Sequence, residues 1–124
     1  GQALANHADR DACEISCTMH ISTNLPDGLK DWPVWIKTPD TYTDKTKQTV
    51  LVPGENRSVI LQPGDALLYK GCERPHWREP MPTPKRGNIF GKKMKKDDYY
   101  YHQIFMHYVL ADGQRSHCAW DRAR

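Results

Sequence analysis

The chain has 124 residues, 38% hydrophobic and 27% charged, with a formal net charge of +3. That is the length of one domain with its own core and the composition of an ordinary soluble globular protein. No apolar run approaches the ~18 residues that span a bilayer, and no secretory h-region opens the sequence, so no membrane partner and a cytoplasmic address are expected.

Nine prolines and eight glycines are scattered along the chain, and no long stretch carries the i, i+3, i+4, i+7 apolar spacing of a helix. Strand signals are stronger. Residues 13–23 (CEISCTMHIST) alternate Ile15, Cys17, Met19 and Ile21 against Ser16, Thr18, His20 and Ser22. Residues 32–37 form a second strand, with Pro33 near its start, where a missing donor is tolerated. A third, 49–52, is closed by Pro53-Gly54. Residues 58–62 lead into the turn Pro63-Gly64-Asp65, and 66–70 leave it. Residues 74–78 are a short extended piece near Pro75 and Pro80. The longest and most hydrophobic strand is 99–110 (YYYHQIFMHYVL), ended by Asp112-Gly113. Short strands with Pro/Gly punctuation predict an all-β sandwich or jelly roll, one domain over residues 1–124.

Between the last two strands, residues 79–98 are polar and rich in Pro, Gly and Lys, which predicts a long flexible loop or lid. Its basic run, Lys92-Lys93-Met94-Lys95-Lys96, is answered by Asp97 and Asp98. Without interleaved aromatics it reads as a solvated loop rather than a nucleic-acid contact. Cys13, Cys17, Cys72 and Cys118 form no C-x-x-C pair, so reduced, largely buried thiols are expected rather than a zinc site. Tyr69, Trp77, Phe105, Trp32 and Trp35 read as core packing.

The chemistry points to three residues. In an extended segment, residues i and i+2 share a side, so His7 and Asp9 can converge on one point. His76, on the short strand after the Pro-Gly-Asp strand pair, is the best third ligand. Two histidines and one carboxylate on one face of a metal make the facial triad of non-haem Fe(II) oxygenases, with positions open for co-substrate and O₂.

Four stretches carry a resemblance: HADRDACEIS (7–16), WPVWI (32–36), LQPGDALLYKGCERPHWREP (61–80) and QIFMHYVLADG (103–113). In this order the chain resembles the catalytic double-stranded β-helix of the Fe(II)/2-oxoglutarate-dependent oxygenases. Within these it is most similar to a prolyl-hydroxylase-like group of phage and environmental sequences. The resemblance implies a cupin-like jelly roll that encloses iron held by His7, Asp9 and His76. It also implies 2-oxoglutarate as co-substrate and hydroxylation of an unidentified prime substrate. The other reading is a cupin-like metal-binding domain without turnover.

The family usually has a further strand before HxD, which six residues are not expected to supply. The expected barrel therefore has an unpaired edge where the family's first strand would pair, to be covered by a second copy of the chain as a homodimer or by an N-terminal extension. Family members also anchor the far carboxylate of 2-oxoglutarate with a cation near the start of the last strand, where this chain reads Tyr99-Tyr100-Tyr101-His102. Arg78 is the preferred substitute, two residues past His76 and on its side of the strand. Its competing role is a surface salt bridge with Glu79 or Asp65. Lys37 is the second choice. Tyr101 and His107, six apart and inward together, would add hydrogen bonds.

Overall fold

The computed structural model describes residues 2–45, 48–84, 87–89 and 92–120. The described chain is all-β and antiparallel, and its helical residues are single 3₁₀ turns. Its strands are β1 (Leu4–His7), β2 (Ile15–Thr23), β3 (Val34–Lys37), β4 (Thr41–Lys45), β5 (Gln48–Val52), β6 (Asn56–Val59), β7 (Ala66–Tyr69), β8 (His76–Arg78), β9 (Gly87–Ile89), β10 (Lys92–Met94) and β11 (Tyr101–Tyr108). One sheet has the order β1-β8-β3-β6 and another the order β11-β2-β7, while β4-β5 and β9-β10 are two-stranded ribbons.

The pairing is nested. β1 takes β8, β2 takes β7, β3 takes β6 and β4 takes β5, so the chain runs out and then folds back strand by strand. Successive pairs fall alternately in different sheets. β11 then returns along the other side of β2.

The inner faces of the two larger sheets meet through side chains. The Tyr69 ring of β7 packs edge-on to His76 of β8 at 4.7 Å, and the Arg78 guanidinium of β8 lies over Tyr101 of β11. The sense of the β2 alternation is the reverse of the usual core pattern. Ser16, Thr18 and His20 are buried, and Ile21 is exposed, while Ile15, Cys17 and Met19 are only half-buried. The outward side of this sheet carries Leu68 opposite Cys17 and Ile104 opposite Met19, both exposed. A polar inner face is tolerable only where hydrogen bonds replace the lost water, and three are made: Ser16 to Asp9, Thr18 to Tyr69 and His20 to Leu61 O. Near the end of β2 the register with β11 skips Ile21. On β11, Tyr101 lies two residues from Gln103 and so shares its side, which is the side of His20.

The interior is graded from one end to the other. Asp9, Ser16 and His76 lie at one end, then Tyr69 and Thr18, then His20, Arg78 and Tyr101. Leu25, Trp32, Met81, Tyr99 and Tyr101 close the other end as an apolar cluster.

Several expectations change. Leu4–His7 does form a strand, because its backbone completes the edge of β8. Residues 79–98 are not a bare loop: Gly87–Ile89 pairs with Lys92–Met94, and a 3₁₀ turn follows at Lys96–Asp98, although 85–86 and 90–91 lie outside the described residues. Backbone pairing there needs no apolar alternation, which is why charge and glycine concealed it. The aromatic set divides. Trp32 and Tyr69 are buried, Phe105 is half-exposed, and Trp35 stacks on Trp77 at 6.0 Å on the opposite side of the four-stranded sheet from His76.

Trp32 should be the residue the fold can least lose. It is buried in the apolar cluster and donates Nε1–H to Glu79 O at 2.7 Å, and its own carbonyl receives Arg78. Trp32→Ala should cost about 3–5 kcal/mol, much of the stability of a domain this size. Urea unfolding followed by circular dichroism measures it; a loss below about 1 kcal/mol would show that the cluster does not hold the sheets together.

Candidate metal centre

His7 ends β1, Asp9 follows two residues later, and His76 opens β8, directly across the β1–β8 seam from His7. Their ligand atoms all lie within 4.8 Å of one another. Asp9 Oδ1 is 3.1 Å from His7 Nε2 and 3.5 Å from His76 Nε2. Both imidazoles are fixed from behind in the same way. His7 Nδ1–H donates to Ala5 O and His76 Nδ1–H to Arg74 O, each at 2.8 Å. With the proton on Nδ1, each Nε2 turns a lone pair toward the carboxylate oxygen. Three electron-rich atoms so arranged repel one another until a proton or a cation sits among them. Burial is uneven: the His76 side chain is 3% exposed, Asp9 13% and His7 37%, so the centre opens to solvent on the His7 side.

Asp9 is held in place by a second layer. Ser16 donates Oγ–H to Asp9 Oδ2 at 2.9 Å, and His107 Nδ1 lies 3.0 Å from the same hydroxyl. The Asp9 N–H donates to Gly71 O at 2.9 Å. Gly71 itself has no room for a side chain, because a Cβ there would overlap Ser16 Oγ and Asp9 Oδ2. A second convergence joins Asp9 to Cys13 and His107, with ligand atoms also within 4.8 Å. It competes for the same carboxylate.

Arg78 is buried in the interior, two residues beyond His76, and not in a surface salt bridge with Glu79 or Asp65. Strand alternation turns it inward with His76. Nη1 donates to Trp32 O, and the guanidinium lies over the rings of Trp32 and Tyr101 at 4.9 and 5.2 Å, while Nη2 is buried without a partner among the described residues. Desolvation pulls its pKa down, and Tyr101 opposes that shift. Burial likewise pushes the phenols of Tyr69 and Tyr101 up, so both stay neutral donors.

Tyr101 and His107 share one side of β11, opposite Thr23 and Ser16, but only Tyr101 is buried, and His107 is exposed. They serve different ends of it: Tyr101 stacks on His20, and His107 reaches Ser16. Lys37 is not brought to this interior. Ile36 is the residue opposite His76, so alternation sends Lys37 to the other side of the sheet with Trp35, where it is exposed. Ser16, His20 and Gln103 are inner residues that sequence reasoning missed, since polar positions on a strand ordinarily face water. The signal available was three polar residues in register with the inner face of a strand near HxD.

Comparisons with protein-family models, with curated proteins and with solved structures each return no match. Two imidazoles and one carboxylate on one side of a point suit a divalent first-row metal and leave its opposite side open.

Removing the support of Asp9 should weaken that metal while sparing the fold. Ser16→Ala deletes the donor to Oδ2 and should raise the dissociation constant for Mn(II) about 10–100-fold. Calorimetric titration reads the constant. Parent-like affinity in Ser16→Ala would mean that Asp9 is oriented without it.

Proposed function

We propose that the chain is an Fe(II)- and 2-oxoglutarate-dependent oxygenase on a jelly-roll scaffold, acting on a prime substrate not yet identified. The observation that carries this reading is the convergence of His7 Nε2, Asp9 Oδ1 and His76 Nε2, each imidazole tied back through Nδ1. The nested pairing of β1–β8, β2–β7 and β3–β6 across two sheets supports the jelly roll. β11 beside β2 supports a double-stranded β-helix, and the far edge of β11 is unpaired among the described residues.

The residues fit the groups the reading requires. The donor set is that of non-haem iron, with His7, Asp9 and His76 as the ligands. Arg78 Nη2 is a buried donor without a partner on the same inner strand face, about 6–7 Å along the chain from His76. That suits the far carboxylate of a five-carbon keto acid whose other end meets the metal. When bound, Fe(II) and 2-oxoglutarate supply the oxidative chemistry. The protein's own part is positional. Ser16 and Gly71 hold the carboxylate ligand, Arg78 sets the depth and direction of the co-substrate, and the apolar plug of Trp32, Leu25 and Met81 seals the chamber behind it.

Two outcomes test the reading. The chain should bind about one Mn(II), and His76→Ala or Asp9→Ala should abolish binding; retention of full affinity by either would remove the triad. The Mn(II)-loaded chain should bind 2-oxoglutarate, and Arg78→Met should weaken this about a hundredfold with metal affinity unchanged, the scale of a lost buried charge pair. Arg78→Met should also melt no lower than the parent, since an apolar side chain replaces a desolvated cation. Metal binding without any 2-oxoglutarate binding would favour the cupin-like domain without turnover.

A further inference from the structure

We infer that His20 is a second anion-holding group of the inner chamber, and that it takes up a proton from solvent when a dicarboxylate binds there. The inference rests on the dicarboxylate reading of the chamber given above. His20 is 2% exposed, donates Nδ1–H to Leu61 O at 2.7 Å and leaves Nε2 buried without a partner among the described residues. A carbonyl only accepts, so the proton lies on Nδ1, and Nε2 carries a lone pair unless a second proton occupies it. Arg78 Nη2 and Gln103 Oε1 are also buried without partners. Two of these residues border the Tyr101 ring, and the third lies near it on the same strand. His20 stacks on Tyr101 at 3.9 Å, Arg78 Cζ lies 5.2 Å from its centroid, and Gln103 is two residues along β11, opposite His20. Unpaired buried polar groups are costly and few in folded proteins. Three around one tyrosine mark a wall built to face a polar ligand.

The ligand's chemistry then fixes the proton. A carboxylate offers only acceptors, which suits Arg78 but sets oxygen lone pairs against the lone pair of His20 Nε2. Once protonated, Nε2 becomes a charge-assisted donor, and the Gln103 amide turns over to present its NH₂. The groups around His20 favour this order of events. From β11 it meets Tyr101, and from β8, across that ring, the Arg78 cation. From β7, Tyr69 reaches Thr18 on the inner face of β2. The Asp65 carbonyl takes the His20 N–H, while its carboxylate accepts from Gln62 N. Asp31, which acts electrostatically on Tyr101, accepts from Gln62 Nε2. Arg78 repels a charged His20 until an anion neutralises it, so proton and dicarboxylate arrive together.

The test is calorimetric titration of 2-oxoglutarate into the Mn(II)-loaded chain, in buffers of different ionisation enthalpy and at several pH values. About one proton should be taken up per dicarboxylate, and binding should weaken as the pH rises. His20→Gln keeps a neutral donor and should bind with no proton uptake and no such pH dependence. If that variant does not fold, the parent still decides. In Zn(II)-loaded protein with ¹⁵N-labelled histidine, the Nε2 resonance of His20 should move from an unprotonated to a protonated position on adding 2-oxoglutarate. Arg78-dependent binding with no proton uptake, or uptake assigned to another imidazole, overturns the inference and leaves the oxygenase reading standing. No binding of 2-oxoglutarate to the loaded parent overturns both.

Discussion

The inward turn of Ser16, Thr18 and His20 depends on the register of β2 between β7 and β11. A slip of one residue would exchange the two faces and put Cys17 and Met19 inside. The support for Asp9, the contact between Thr18 and Tyr69 and the stacking of His20 on Tyr101 would then all be lost together. The fold thus lines the inner face of a central strand with polar side chains, where a sandwich ordinarily lines it with apolar ones. The desolvation cost is met at Ser16, Thr18 and His20 Nδ1 by hydrogen bonds, and left unmet at Nε2, Arg78 Nη2 and Gln103 Oε1. At roughly 1–3 kcal/mol for each unpaired group, that deficit is large against the stability of a small domain.

The apolar groups that offset it are concentrated at one end. Trp32 touches Tyr101 edge-to-face at 5.3 Å and holds the Arg78 guanidinium from the other direction. The cluster therefore does two jobs with the same side chains: it closes the sheets together, and it orients a cation that gains little from its own burial. The opposite end cannot be apolar, because Asp9 and His7 must meet water or a cation. This polarity gradient gives the interior a single direction, with the open centre at one end and the apolar cluster at the other.

Much of this architecture was legible in the sequence, and the gaps have specific causes. The strands foreseen over 13–23, 32–37, 49–52, 58–62, 66–70, 74–78 and 99–110 recur as β2, β3, β5, β6, β7, β8 and β11, each with shifted ends. β1, β4, β9 and β10 were missed because each is short and paired at an edge or in a ribbon, where backbone hydrogen bonds suffice and side chains need not alternate. At the centre, His7 and Asp9 were legible from i, i+2 geometry, and Arg78 from the same rule applied to His76. The rule failed for Lys37 by one residue, because facing depends on the cross-strand partner and not on lying in the same strand. His20 and Gln103 were illegible, since alternation reveals that a strand has two faces without revealing which of them is turned inward.

The two halves of the centre stand on opposite sides of one seam. β1 is a four-residue edge strand, held to β8 at Leu4–Arg78 and His7–His76 with an irregular register between them, and flanked by Met81 N to Gln2 O and Asp9 N to Gly71 O. Short edge strands of this kind fray first. A cation bridging His7 and His76 would act as a latch across that seam, joining residues far apart in sequence as a cross-link does. The amino-terminal strand would then report on metal through its own motion. Amide exchange at Ala5 and Asn6 would slow, and proteolytic nicking ahead of Asp11 would cease, as the latch closes.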